Sequence, residues 1–527
     1  MRLSSNDIRA RAANFARDWA QAHYERGETQ SFYNAFFALP DLPRHIEKFN
    51  FILGRQVARF KDQDPVNIKA AELVGLLHDQ LRADALQTDW ATFLPPERCS
   101  YILGNPPFVG QSYQSKEQRE QMRHLTNPNG KTASPLDYVG AWFLKATAYI
   151  GRAGFTPPPP TRIAFVATNS ITQGEQVAQR WPLLFDRHNL EIAFAHRTFE
   201  WGSDARGKAH VHVVIIGLDH RDNTPAQRRL FSYPKIGDPV ESTHRAISPY
   251  LFDAGGLKDP HTVVKEESQP INGMKRLITG SKPIDDGNFI LSPEELGILE
   301  LTEPQSARHF QPFIGAHEYI QGKVRFIIHP DSIPLLELRS LTWVRERMAK
   351  VRAYRQASES APTQAIADSP GSFHVTVLPE RPFLVIPQVS SERRAYAPIG
   401  WLEPPTIPSD KLRLLLDATL TDFALLTSAM HMAWMRAITG RMKSDYMYSV
   451  GVVYNTFPLP PAANLPKLDP LAQSILTARA AHPGATLADL YDPDLMPPDL
   501  RRAHSDLDRA VDRLYRSEEH TSELQSR

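Results

Sequence analysis

Four short runs of apolar and β-branched residues, at 101–103, 163–168, 191–195 and 211–217, constrain this chain more than any other feature. Each ends in Gly, Asn, His or a polar loop, as strands buried in a largely parallel sheet do. A helix expected over 136–150, with Tyr138, Ala141, Trp142, Lys145 and Tyr149, separates the first two runs, and the stiff 157–160 proline linker comes after it. This alternation is α/β. The gap between the third and fourth runs is too short for a helical crossover, so these two are expected to pair antiparallel, as an antiparallel edge on the parallel sheet.

Helices flank the sheet. Ser5 and Asn6 can cap a segment in which Ile8, Ala12, Phe15, Ala16 and Trp19 recur at helical spacing, and Pro65 opens a second helix to about 86 with Ile68, Leu73, Leu76, Leu77 and Leu81 as its stripe. His78 lies beside that stripe and reads as structural. After 233, Pro and short β-like runs dominate (324–328, 373–378, 383–386), interrupted by a basic helix at 342–354. Helix is expected again at 412–416, 423–439, 471–481 and 498–514. The resulting division is 1–94, 95–234, 235–458 and 459–515, with a polar tail at 516–527. It suits a 527-residue chain, long enough for roughly three or four domains.

Composition excludes several classes. With 42% hydrophobic and 23% charged residues the chain can bury real cores. The single cysteine, Cys99, removes any disulfide framework or thiolate-based zinc cluster and fits a reducing, cytoplasmic compartment. No apolar run reaches the roughly 18–20 residues of a membrane span, and 1–20 carries Arg2, Asp7, Arg9, Arg11, Arg17 and Asp18 with no apolar signal core. The net charge of +1 leaves the partner open.

One motif carries chemistry: Asn105-Pro106-Pro107-Phe108, directly after the first run and its Gly104. In an α/β sheet ligands bind outside the carboxyl ends of the strands, where this tetrapeptide falls. An exocyclic amino group on a nucleobase is a poor nucleophile because its lone pair is delocalised into the ring. The Asn105 amide oxygen and the Pro106 carbonyl can accept both amino hydrogens, drawing the nitrogen toward tetrahedral geometry and aiming its lone pair at an electrophilic methyl group. The prolines hold that carbonyl rigidly, and Phe108 offers a stacking face to a base removed from the duplex. Taken alone, the same four residues also describe a proline turn that ends a strand.

From about 89 to 515 the chain closely resembles the MmeI-like (type IIL/IIG) restriction-modification enzymes. The residues that carry the resemblance are 101–110, Thr168 to Gln176 (TNSITQGEQ), Phe194 to Phe199 (FAHRTF), Ser390 to Arg394 (SSERR), Ser428 to Trp434 (SAMHMAW), Lys443 to Tyr446 (KSDY) and Leu490 to Pro493 (LYDP). The resemblance implies an N6-adenine DNA methyltransferase of class I, Rossmann-like fold, fused to a target-recognition domain that reads double-stranded DNA, with S-adenosylmethionine as cofactor. Asn105, Pro106, Pro107 and Phe108 then take the roles argued above. The division becomes a helical remnant of nuclease and connector regions, the catalytic half of the methyltransferase sheet, a mixed α+β recognition domain and a C-terminal helical segment.

Parts of the family pattern are missing. A methyltransferase of this class needs a glycine-rich turn after its first strand and an acidic residue for the cofactor ribose. Before Asn105 the glycines are Gly27, Gly54, Gly75 and Gly104, all isolated. The cofactor half is therefore expected to be absent, its binding residues are unknown, and the first run should be left as an apolar sheet edge. A substitute strand at 46–52 is the remaining option, although no glycine-rich turn comes after it. Residues 8–37 resemble the start of the family's nuclease and 42–86 the region after it, so the carboxylates and lysine that would hold Mg²⁺ are expected to be missing, with no metal site and no nuclease activity. The tail 516–526 reads as an in-frame translation of a sequencing-library adapter. A defective or mis-assembled fragment is the consequence.

Local charge marks the DNA reader. Arg339, Arg345, Arg347, Lys350, Arg352 and Arg355 cluster around one helix with Glu346 as the opposing charge, beside Trp343 and Tyr354, and can track phosphates or simply form a solvated face. If 390–396 is extended, Glu392 and Arg394 point to one side and can reach cytosine N4 and guanine O6 and N7; the alternative is a surface ion pair. Arg441 and Lys443 are further phosphate candidates. His431 reads as packing, while His196 and Arg197 either line the active site or serve structure. Two other functions remain open: a DNA-binding specificity module without chemistry, and a protein-glutamine methyltransferase, which has less need of the long segment after the sheet.

Overall fold

The computed structural model describes residues 85–525 apart from 93, 127–135, 152–160, 202–210, 235–238, 443 and 461. The helices expected near 8–19 and 65–84, the 46–52 option, His78, the 157–160 linker and Lys443 lie outside the described residues. The chain divides into two units, Met1–Val264 and Lys265–Arg527.

In the first unit the elements run β1 (Tyr101–Gly104), α1 (Lys116–Thr126), α2 (Gly140–Ile150), β2 (Arg162–Thr168), α3 (Glu175–Pro182), β3 (Leu190–Trp201), β4 (Val211–His220), β5 (Arg228–Ser232) and β6 (Val240–His244). They form one six-stranded sheet in the order β1-β2-β4-β3-β5-β6. β1 with β2 and β3 with β5 are parallel, whereas β2 with β4, β3 with β4, and β5 with β6 are antiparallel. The β3–β4 pair is antiparallel as expected, but the sheet is mixed rather than largely parallel. β4 returns directly from β3 and wedges between β2 and β3 instead of forming an edge, which makes both of its neighbours antiparallel. β5 and β6 then extend the sheet past 234, so the first unit reaches Val264, with Ile247 and Leu251 in its core.

Alternation along the strands sorts the two faces. Ile102, Ile163, Phe165, Ala167, Ala195, Val214, Ile216, Leu218 and Leu230 are buried with α2 and with Val177 and Trp181 of α3. Nearly every residue of α2 is buried, as its apolar composition all round requires, and Phe143 meets Phe165 edge-on at 5.0 Å. β1 is the sheet edge among the described residues: Ile102 is buried, while Tyr101 and Leu103 on its other face are 45% and 53% exposed.

The second unit holds three small sheets. β14 (Ile407–Pro408), β9 (Phe310–Ile314), β10 (Arg325–Ile328) and β8 (Ile290–Leu291) form the first; β13 (Gly400–Leu402), β11 (Phe383–Pro387), β15 (Leu412–Leu416) and β7 (Ile278–Thr279) the second; β12 (Val389–Ser390), β17 (Asp445–Met447) and β16 (Arg441–Met442) the third. The 412–416 run is thus a strand, not the expected helix. Leu412 and Leu414 point into the core while β11 and β7 pair on either side, so sheet pairing overrides the helical preference of leucine. Residues 373–378 contribute only an isolated bridge, Lys282 with Val375. The basic helix is α4 (Thr342–Gln356). The 423–439 helix is two, α5 (Leu420–Leu426) and α6 (Ala429–Ile438), because the Ser428 side chain caps a new start by accepting from His431 N. α7 (Asp469–Ala480) packs on α8 (Pro498–Gln525), where Leu500, Leu507 and Val511 are buried at helical spacing. The α8 backbone continues through Gln525, so the adapter-like segment is helical there.

Candidate functional site

Since β3 is antiparallel to β4 and β4 to β2, the carboxyl ends of β1, β2 and β3 lie at one edge of the sheet. There the chain leaves β1 through Asn105-Pro106-Pro107-Phe108. Asn105 and Pro107 are exposed, Pro106 is buried, and Phe108 is half-buried against the core. Two successive prolines fix φ and remove two N–H donors, so this backbone cannot be recruited into a ladder and its carbonyls remain acceptors. The arrangement presents a side-chain amide at the strand end, a rigid carbonyl after it, and one partly accessible aromatic ring.

A polar strap holds the stretch from Val109 to Gln114, just beyond the motif. Tyr138 N donates to Val109 O at 2.9 Å, Gln111 N to Asp137 Oδ1 at 3.1 Å, and the buried Gln114 Nε2 to Leu136 O at 2.8 Å. The other Asp137 oxygen accepts from Ser170 Oγ at the exit of β2, and Ser170 Oγ lies 2.8 Å from Thr168 Oγ1. Asp137 N donates to Gln176 Oε1 on α3 at 3.1 Å, and Arg180 Nη2 donates to the same oxygen at 3.3 Å. Sequence reasoning missed Asp137, which stands on a turn far from the motif in the chain and belongs to no pattern of its own.

His196 and Arg197, on β3, have partners within the first unit. His196 stacks on Phe231 at 4.3 Å and its Nδ1 lies 2.7 Å from Tyr233 Oη, while burial lowers its pKa. Arg197 donates Nε to Leu251 O at 2.7 Å, an anchor for the 246–254 segment.

In the second unit the small third sheet brings two separate sequence candidates together. Residues 390–396 are not extended: Arg394 N donates to Ser391 O at 3.2 Å, closing a turn whose tip is Glu392-Arg393. The shared-face geometry expected for Glu392 and Arg394 therefore does not hold, because an Asp445 carboxylate accepting from Glu392 N at 3.3 Å stabilises the turn instead. Exposed Glu392 faces Arg441 at 3.5 Å, and Arg441 lies over the Tyr446 ring at 4.4 Å. Arg394 is half-buried; desolvation lowers its pKa against the opposing pull of Asp445 and Asp492. Arg436 Nη2 pins the backbone by donating to Ala395 O at 2.8 Å.

On α4, Arg345, Lys350 and Arg352 are exposed and Arg347 lies over the Trp343 ring at 4.8 Å. Arg355 is different: it is fully buried and donates to the carbonyls of Pro283, Ile284, Ile366, Ser369 and Ser372 at 2.8–3.0 Å. It joins loops rather than phosphates. His431 is buried with Nε2 2.9 Å from Tyr448 Oη, the packing role expected of it. Among the described residues no group of three or more His, Cys, Asp or Glu is placed to hold a metal, and no helix is long and apolar enough to cross a membrane.

Comparison with known proteins matches four family models in succession: the MmeI N-terminal domain at 37–84, the MmeI DNA-methyltransferase domain at 67–232, the MmeI target recognition domain at 258–461 and the MmeI C-terminal domain at 461–526. DNA methyltransferase A of Bacillus subtilis (strain 168) is 34% identical over 447 residues, 84% of this chain and 48% of that protein. The solved structure of the type IIL restriction-modification enzyme MmeI in complex with DNA is 40% identical with a TM-score of 0.77, over 82% of this chain and 56% of that one. The chain thus spans about half the length of these relatives.

Proposed function

Because this chain belongs to the MmeI-like family of restriction-modification enzymes, we propose that it presents a target adenine of duplex DNA for methylation at N6, and reads the surrounding sequence with its second unit. The observation that carries this reading is the exposed Asn105 at the carboxyl end of β1, followed by the buried Pro106 and the half-buried ring of Phe108. With a base turned out of the duplex and stacked on Phe108, Asn105 Oδ1 and the Pro106 carbonyl accept the two hydrogens of N6. The nitrogen lone pair is thereby freed from the ring and oriented. Such acceptors cost no reorganisation when the bond forms, because the strand end and the prolines hold them in advance.

The family uses S-adenosylmethionine, but the described residues do not make a cradle for it. Next to Asn105 the sheet ends at β1, with Tyr101 and Leu103 exposed, and Gly104 and Gly110 are separate glycines rather than a turn where backbone can approach a ligand. The isolated glycines upstream of the motif agree. We therefore read the chain as the acceptor-and-reader part of such an enzyme, one that transfers methyl groups only when the cofactor-binding half of a longer relative is supplied.

Sequence reading falls to the turn at Glu392 and Arg394 with Arg441 beside it, and phosphate contact to Arg345, Arg347, Lys350 and Arg352 on α4. The test is to add that cofactor-binding half and labelled S-adenosylmethionine to a mixture of duplex DNA and a glutamine-containing peptide. Label in the DNA is expected, and label in the peptide overturns the assignment.

A further inference from the structure

Holding an acceptor loop in place is a separate task from accepting protons, and the Asp137 carboxylate is built for it. One oxygen accepts from Gln111 N, six residues after Asn105, and the other from Ser170 Oγ at the exit of β2. Its own N–H is tied to Gln176 on α3. A single residue therefore joins the loop after β1, the end of β2 and the helix beyond it.

Behind it stands a buried charge. Arg180 is fully buried, its Nη2 shares the Gln176 oxygen, and its Nε and Nη1 have no hydrogen-bond partner. The guanidinium lies against the first residue of α2, Gly140, where a Cβ would come within 2.5 Å of Nη2. A cation at a helix N-terminus opposes the helix dipole, so its place there calls for a nearby anion. Desolvation pushes the Arg180 pKa down to about 10, and Asp137 is the opposing influence. A carboxylate at this position makes stronger hydrogen bonds to the Gln111 N–H and the Ser170 hydroxyl than a neutral amide can.

We propose that Asp137 is a positioning residue for the Asn105–Phe108 loop, holding it against the exit of β2 and the start of α3 through Gln111, Ser170 and Gln176. The inference rests on the function proposed above for that loop and adds the group that keeps it in register. It concerns loop geometry and not DNA affinity, since none of these contacts involves the second unit.

Two variants keep the proposal testable. Asp137→Asn retains the shape but not the charge, and leaves buried Arg180 without its anion, which can unfold the first unit. Ser170→Ala removes one donor and leaves the charge alone, while Ser170→Thr keeps the hydroxyl. Hydrogen exchange on the full chain is expected to show faster exchange of the amides of 108–111 in Ser170→Ala, restoration in Ser170→Thr, and unchanged strands β2 to β5. In the supplemented transfer assay Ser170→Ala should lower kcat by on the order of tenfold or more, with KM for DNA unchanged, as expected when a reacting group is displaced by a fraction of an ångström. Wild-type exchange at 108–111 in both Ser170→Ala and a folded Asp137→Asn overturns the inference. Absence of transfer by the unaltered chain together with the added cofactor-binding half would instead count against the proposed function, so the two failures are distinguishable.

Discussion

Asn105 and Asp137 show what a residue can and cannot announce. The place of Asn-Pro-Pro-Phe at a strand end was legible from the apolar run before it, and the structure places Asn105 in the open at that end. Asp137 was not legible, since its partners Gln111, Ser170 and Gln176 come from three separate stretches that only the fold brings together. Charge misled in the same way at Arg355: composition counts a guanidinium but does not say that five carbonyls surround it. Glu392 and Arg345, both exposed, divide the expected DNA contacts into reading and holding. Glu392→Ala should relax discrimination at one base pair by about 1–3 kcal/mol with little change in salt dependence. Arg345→Ala should weaken all duplexes alike and reduce the slope of log affinity against log salt by about one. Binding titrations on duplexes with single substitutions at several salt concentrations check both; a uniform loss in Glu392→Ala would remove it from the reading set.

At the scale of elements, β1 to β4 were legible from β-branched runs, and so was the antiparallel β3–β4 pair, but the place of that pair in the sheet was not. Periodicity says which residues face a core; it does not say that β4 comes back between β2 and β3. Leu412–Leu416 was misread as helix because its leucines suit either state, and only the neighbouring strands decide. The segment expected as one helix over 423–439 is split at Ser428, but His431 on α6 is buried as expected, and this burial has a consequence for pH. Desolvation holds the His431 pKa at about 3, against roughly 6.5 for an exposed histidine. Between those values the unfolded chain binds a proton that the folded unit does not, so stability is complete above about pH 6.5 and falls as pH drops toward 3. Each proton contributes a slope of about 1.4 kcal/mol per pH unit. His504, also buried and pushed well below its ordinary value, adds to the same trend. Denaturant melts of the chain at pH 7, 5.5 and 4.5 should show this loss, and His431→Leu should flatten it by about one proton's worth; an unchanged slope would mean that His431 opens to water in the folded state.

The whole molecule combines a mixed sheet whose edge strand, among the described residues, leads into Asn105-Pro106-Pro107-Phe108 with a second unit carrying the Glu392–Arg394 turn and a basic helix, in a chain about half as long as its relatives. Family membership explains why these parts occur in one polypeptide, and among the described residues β1 is the sheet edge, on which the proposal that the chain alone does not complete a cofactor site rests. The most direct test is nucleoside mass spectrometry of duplex DNA after incubation with S-adenosylmethionine and the chain, with and without the cofactor-binding half of a longer relative, in unaltered and Asn105→Ala forms. The account predicts N6-methyladenine only when the unaltered chain and the added half are both present. Asn105→Ala should bind DNA normally and lose at least about 3 kcal/mol of transition-state stabilisation, leaving little product. N6-methyladenine formed by the chain alone, or formed undiminished by Asn105→Ala with the added half, would contradict it.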